Sequence, residues 1–151
     1  MTEKPTDELN ELLLNTDIGD YEQYCKDNNQ YLIDGERSFY EYYKSVIKEK
    51  KIKLRDVYIS ADVSESYGGK IIRMENKHTT DRDLIIRLCL GGHFNWIETN
   101  RALKLYGFSE LYAKIPRDAL IIIAINERKY DIHKLNSLLE SNGFDRLSMS
   151  E

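Results

Sequence analysis

The strongest constraint on this chain is an internal repeat in its C-terminal half. Residues 82–111 read RDLIIRLCLGGHFNWIETNRALKLYGFSEL, and residues 117–147 read RDALIIIAINERKYDIHKLNSLLESNGFDRL. An Arg-Asp pair, an apolar run, an Asn (Asn100, Asn136), a Leu (Leu103, Leu139), a Gly-Phe pair and a closing Leu recur 35 to 36 residues apart. A period of this size is typical of two-helix units stacked on one another. Two such copies are predicted to bury each other's apolar faces and to cap whatever precedes them. Their surface is also a candidate for partner binding.

Helix punctuation falls at matching places in the two copies. Thr80, with Asp83 three residues on, is predicted to start the first helix, and Pro116 the third. Asn95 with Glu98 forms a capping pattern, and Asp131 holds the matching position. Gly107 and Gly143 stand where helices end in a left-handed residue. The β-branched run at 119–125 is open to a buried strand as well as a helix. Its counterpart at 84–90 is richer in Leu and interrupted by Arg87, so both are assigned to helices. Asp83 and Asp118, each following an Arg, are predicted to be helix-start residues with local salt bridges.

Upstream of the repeat, two prolines in the whole chain leave room for long helices. Thr6 can cap a helix bearing Leu9, Leu12 and Leu13, and Asp20 a second with Tyr21, Tyr24 and Cys25 on one face. Gly35 is predicted to interrupt. Ser38-x-x-Glu41 then has the form of a capping box, opening a helix with Phe39, Tyr42, Tyr43, Val46 and Ile47 in one stripe and a lysine-rich last turn. The expected organisation is an acidic helical segment at 1–37, a helix-turn-helix region at 38–81, and the tandem helix-pair repeat at 82–151 packed on it.

The apolar fraction of 41% and charged fraction of 32% fit a folded globular chain. The longest apolar run falls far short of the roughly 20 residues needed to cross a bilayer, and the polar, acidic start predicts no secretory signal. Cys25 and Cys89 lie far apart among apolar neighbours and read as reduced core thiols, which points to the cytoplasm. Charge is distributed unevenly. Residues 1–43 carry three basic against eleven acidic groups, whereas residues 44–82 carry ten against six. A basic island in an acidic chain is what a local nucleic-acid contact requires.

That island coincides with a helix, turn, helix pattern. Leu54-Arg-Asp-Val-Tyr-Ile-Ser-Ala61 forms the first helix, Asp62-Val63 the turn, and Ser64 caps a second helix from Glu65 to about Met74. Val57, Ala61, Val63, Ile71 and Ile72 are its predicted core. Ser64-x-Ser66-Tyr67-Gly68-x-x-Ile71, followed by a polar turn and Arg82-Asp83, resembles the XRE-like, phage-repressor class of helix-turn-helix regulators common in Gram-positive bacteria and their phages. In one subgroup the motif is followed by helix-pair repeats with Leu-Tyr (Leu111-Tyr112) and Arg-Asp (Arg117-Asp118) between copies, and a short acidic segment opens the chain.

The resemblance implies an all-α, repressor-like bundle and transcription regulation through double-stranded DNA. Its second helix would enter the major groove. Ser64, Ser66, Tyr67 and Lys70 would then touch bases or flanking phosphate, while Lys53, Arg55, Arg73 and Lys77 would hold phosphate and set position. Four departures stand against the pattern. Leu54 replaces the polar group that usually grips phosphate. Glu65 repels phosphate and suits only a cytosine amino group. Gly68-Gly69 costs about 1 kcal/mol per residue relative to Ala in a helix. The turn after the helix lacks the usual Gly. The alternative is a protein–protein interaction module, such as an adaptor, antirepressor or phage-defence component, on a scaffold that has abandoned DNA. A homodimer through the N-terminal helices or the repeats is compatible with both.

Enzyme classes find little footing. His78, His93 and His133 are isolated from one another, with no neighbours at metal-ligand spacing. Gly91-Gly92 lacks a phosphate-loop context, and no Gly-x-Ser-x-Gly or Cys–His–acid order marks a nucleophile. No catalytic residue, cofactor or metal is therefore assigned.

Overall fold

The computed structural model describes residues 6–32, 35–74 and 78–149, with backbone alone at 35–38. The chain divides into two compact units, residues 1–34 and 35–151. Among the described residues all regular structure is helical, with no strand.

In the first unit, α1 spans Thr6–Leu14 and α2 spans Tyr21–Asp27, with single 3-10 turns at Ile18–Asp20 and Asn29–Tyr31. The leucine stripe of α1 is not buried: Leu12, Leu13 and Leu14 are exposed, and Leu9 is only half-covered. Cys25 is half-buried rather than a core thiol. So short a segment has too little interior to enclose its apolar groups.

The second unit contains α3 (Gly35–Glu49), α4 (Leu54–Ala61), α5 (Glu65–Arg73), α6 (Arg82–Gly91), α7 (Trp96–Tyr106), α8 (Pro116–Asn126) and α9 (Ile132–Ser141). Residues from all seven helices meet in one core. The stripe on α3 is buried as its spacing predicts, with Tyr42 partly covered, and the Tyr43 hydroxyl donates to the Leu88 carbonyl at 2.6 Å. Helix starts differ from expectation at α3 and α6. Gly35 opens α3 rather than interrupting it, so Ser38 lies within the helix, where no free N–H awaits a cap. Asp81, not Thr80, caps α6 and accepts from the Asp83 N–H at 3.1 Å, because the helix begins one residue later.

Thr6 likewise lies within α1, and Asp20 precedes α2 without a side-chain cap bond, but the other punctuation of the repeat is in place. Asn95 and Glu98 form a reciprocal capping box, and Asp131 accepts from the Lys134 N–H. Gly107 and Gly143 take φ of +102° and +83°, a region that glycine enters without steric cost. The run at 119–125 is helical. Its apolar residues face inward at helical spacing, Ile121, Ile122, Ala124 and Ile125 buried with Ile123 exposed between them.

The two copies do not stack as a solenoid. Arg82 grips Asp118 through both oxygens (3.1 and 2.9 Å), and Arg117 grips Asp83 in the same bidentate way (3.1 and 3.0 Å). Translation would send each Arg towards the next copy along and leave the last without a partner. Mutual exchange between the same two copies instead defines a closed, two-fold-like pair. The supports repeat likewise. Arg82 donates to the carbonyls of Ser109 and Glu110, and Arg117 to those of Asp145 and Arg146. Asn100 accepts from the Leu111 N–H, and Asn136 from that of Leu147. Asp83 and Asp118 thus make long-range bridges across the pair, not local ones.

Arg87, which breaks the apolar run in the sequence, is 0% exposed. Its guanidinium donates to the carbonyls of Ala61 (3.0 and 2.8 Å), Asp62 (2.7 Å) and Ser148 (2.9 Å). It therefore caps the C-terminal end of α4, where carbonyls lack helical partners and the helix dipole is negative. Arg87→Met keeps much of the volume but removes this donor from three carbonyls. Each buried polar group left unpaired costs about 1–3 kcal/mol, so urea unfolding of the variant is expected to show a loss of at least about 2 kcal/mol. An unchanged midpoint would refute the role.

Candidate nucleic-acid interface

The surface is built on a three-residue turn. At the end of α4, Asp62 takes a left-handed conformation (φ +55°), and the Val63 N–H returns to the Tyr58 carbonyl at 3.1 Å. Val63 is buried, and Ser64 turns extended and accepts from the Tyr67 N–H at 3.2 Å. The predicted core residues Val57, Ala61, Val63, Ile71 and Ile72 are all buried.

This packing divides α5 into two faces. Gly68, Gly69, Ile71 and Ile72 point inward, while Glu65, Ser66, Lys70 and Arg73 are exposed. Ser66, Lys70 and Arg73, at i, i+4 and i+7, share one outward stripe. Ser64 is exposed, with its oxygen engaged as the cap. Tyr67 is half-buried and packs against the core, so it is less open to solvent than the other three. Lys53 and Arg55 are exposed at the start of α4. Lys77 lies outside the described residues.

Three of the four departures acquire structural reasons. Leu54 packs against the core, which explains an apolar residue there. A Cβ on Gly68 would stand 2.7 Å from the Tyr58 ring and 3.2 Å from Val63, so this glycine admits the tyrosine against the helix. Beside Gly69 a Cβ would meet only the flexible end of Arg73, at 3.0 Å. Where a glycine would usually leave the helix, Met74 itself adopts the left-handed conformation (φ +54°), buried and bonded to the Lys70 carbonyl. Nothing in the structure accounts for Glu65.

Tyrosines supply the supports that the sequence did not single out. Burial raises the Tyr58 phenol pKa, an effect that Arg73 opposes and Glu65 and Tyr40 reinforce. Tyr106 donates to the Ile71 carbonyl at 3.4 Å and accepts from the Thr79 N–H at 3.2 Å, fixing both sides of the segment after α5 to α7. Arg87 was the other omission. The available signal was an arginine in an apolar run whose repeat partner is Ile122.

Elsewhere the chemistry is sparse. Burial pushes the Cys89 thiol up, so it is a poor nucleophile. His93 stacks on Tyr130 with ring centroids 4.5 Å apart, and His133 lies 3.6 Å from Asp62 on the surface. Among the described residues no group of three or more His, Cys, Asp or Glu side chains could hold a metal ion, and no helix is long and apolar enough to cross a membrane. No family model matches the chain, and no curated protein or solved structure matches it significantly.

The two glycines of α5 give a test in which the sign differs. Gly68→Ala is expected to destabilise the chain by about 1–3 kcal/mol through overpacking against Tyr58. Gly69→Ala is expected to be neutral or to stabilise by up to about 1 kcal/mol through helix propensity. Thermal unfolding of the two variants checks the order; equal shifts would show that Tyr58 does not require the glycine.

Proposed function

We propose that the chain is a DNA-binding transcription regulator that uses α4 and α5 as a degenerate, XRE-like helix-turn-helix. The observation that carries this reading is the solvent-facing stripe of Ser66, Lys70 and Arg73 on the second of two helices joined by a three-residue turn. The opposite face of that helix is fixed in the core. In such a motif the second helix enters the major groove and the first braces it. Ser66 and Lys70 would reach base edges, with Ser64 and Tyr67 beside them. Lys53, Arg55 and Arg73 would contact phosphate, and Lys77 is assigned the same role from sequence. Glu65 narrows the base it can face to a cytosine, whose amino group donates.

Phosphate contacts release counterions, so each contributes about −0.9 to the slope of log affinity against log salt. Four cations on B-DNA therefore give a slope of about −3.6. Fluorescence anisotropy with labelled duplexes between about 50 and 200 mM salt measures this directly. Arg73→Ala is expected to weaken binding to all duplexes alike and to make the slope shallower by about 1. Absence of duplex binding at about 50 mM salt would overturn the reading.

A second reading, a protein–protein module on the same scaffold, draws on a different observation. Ile59 is 69% exposed on α4, and Ser60 beside it in sequence and Glu65 at the start of α5 are exposed as well. An exposed apolar residue on the first helix and a carboxylate opening the second suit a protein surface better than a phosphate backbone. It becomes the preferred account if duplex binding is absent.

A further inference from the structure

The two repeat copies are equivalent in the core but not on the outside. In the first copy, α3 covers α7 and the turn before it. Tyr43 lies against the ring of Phe94 at 4.8 Å, Tyr42 at 6.5 Å, and Lys50 pairs with Glu98 at 2.9 Å. The repeat offset places Tyr130 where the first copy has Phe94, Lys134 where it has Glu98, and Leu138 where it has Ala102. These residues line a groove of about 770 Å³ between α8 and α9 that holds no helix. Its bareness is measurable: Ala102 is 0% exposed, whereas its counterpart Leu138, in the groove, is 40% exposed.

We propose that this groove takes helix α1 of a second copy of the chain, seated as α3 is seated on α7. The charge reversal selects the occupant. Glu98 meets Lys50, the residue that follows α3, so Lys134 at the equivalent position calls for a carboxylate, and Arg128 and Lys129 line the same groove beside the single carboxylate of Asp131. A second α3, with its lysine-rich end, is the wrong sign. The described helix with the complementary chemistry is α1, which carries Asp7, Glu8 and Glu11 together with exposed Leu12, Leu13 and Leu14 and has no buried residue. A helix lying as α4 lies on α6 is ruled out by sequence. That approach needs Gly91, where a Cβ would stand 2.8 Å from the Val57 carbonyl, and the second copy has Asn126 there. The proposal does not depend on DNA binding.

Sedimentation equilibrium of the full chain tests it. The wild-type chain is expected to form a dimer within the micromolar range, and Leu138→Glu and Lys134→Glu each to weaken it at least tenfold, about 1.4 kcal/mol. The double variant Glu8→Lys with Glu11→Lys should do the same from the other side. All four positions lie on the surface, and circular dichroism should show unchanged helix content. The decisive arm mixes the Lys134→Glu chain with the Glu8→Lys/Glu11→Lys chain. One supplies an intact α1 and the other an intact groove, so the mixture should recover a dimer tighter than either variant forms alone. A monomeric wild type, a dimer indifferent to Leu138→Glu, or a mixture that stays monomeric would each overturn the proposal.

Discussion

The guanidinium of Arg87 lies where three distant stretches of the chain meet, and the placement of α5 depends on it. A fully buried arginine carries a desolvation penalty of several kcal/mol. Here that penalty is offset by carbonyls that would otherwise end α4 unmatched, at Ala61 and Asp62, and by the Ser148 carbonyl from the chain's end. Ser148 is in turn held through its N–H by Asp83, which Arg117 grips from the other repeat copy. A continuous polar chain therefore runs from the pairing of the two copies to the turn between α4 and α5. In a low-dielectric interior such bonds reinforce one another. The repeat is consequently more than a lid on the bundle, because it fixes the turn that aims α5.

The same turn explains why α5 tolerates a sequence that is poor for a helix. Two glycines and a non-glycine left-handed exit at Met74 each act against it locally. Packing supplies what propensity lacks: Tyr58 lies on Gly68, Ile71 and Ile72 are buried, and Tyr106 holds the Ile71 carbonyl. Most helices in proteins owe their stability to such tertiary contacts. A helix held from behind presents its outer stripe in one orientation, which a groove-reading surface and a protein-binding surface both require. The scaffold alone does not choose between them; the exposed residues Lys70, Arg73, Glu65 and Ile59 carry that decision.

Much of this was legible in the residues. The stripe of α3 and the buried set around Val57 and Ile71 followed from 3.6-residue spacing, and the caps at Ser64, Asn95 and Asp131 from side-chain chemistry next to apolar runs. The bounds of α4 were legible as well. What escaped were features decided by partners distant in sequence. Ser38-x-x-Glu41 looks the same whether it opens a helix or sits inside one, and the choice rests on residues before it. Arg87 reads as an interruption until the α4 carbonyls are placed opposite. The leucines of α1 have helical spacing, but spacing does not reveal whether anything is present to cover them.

The repeat shows the same limit most sharply. An offset of 35 to 36 residues is equally compatible with copies related by translation and with copies related by a two-fold axis, since both preserve the pattern within each unit. The relation is set by whether Arg82 and Arg117 reach the same neighbour or successive ones, and that is a matter of three-dimensional exchange. Once the pair closes on itself no third copy can be added through the Arg-Asp exchange, because both bidentate sites are filled. The outer faces then become the places left for specialisation. Three substitutions distinguish them: Arg87 against Ile122, Gly91 against Asn126, and Glu98 against Lys134. The first member of each couple ties the first copy to α4 or to the residue that follows α3, by carbonyl capping, close approach and ion pairing respectively. The second member removes the tie or reverses its sign. A closed pair with one face committed to the bundle and the other carrying reversed charge has a built-in direction, and that asymmetry, rather than the repeat itself, is what a partner would recognise.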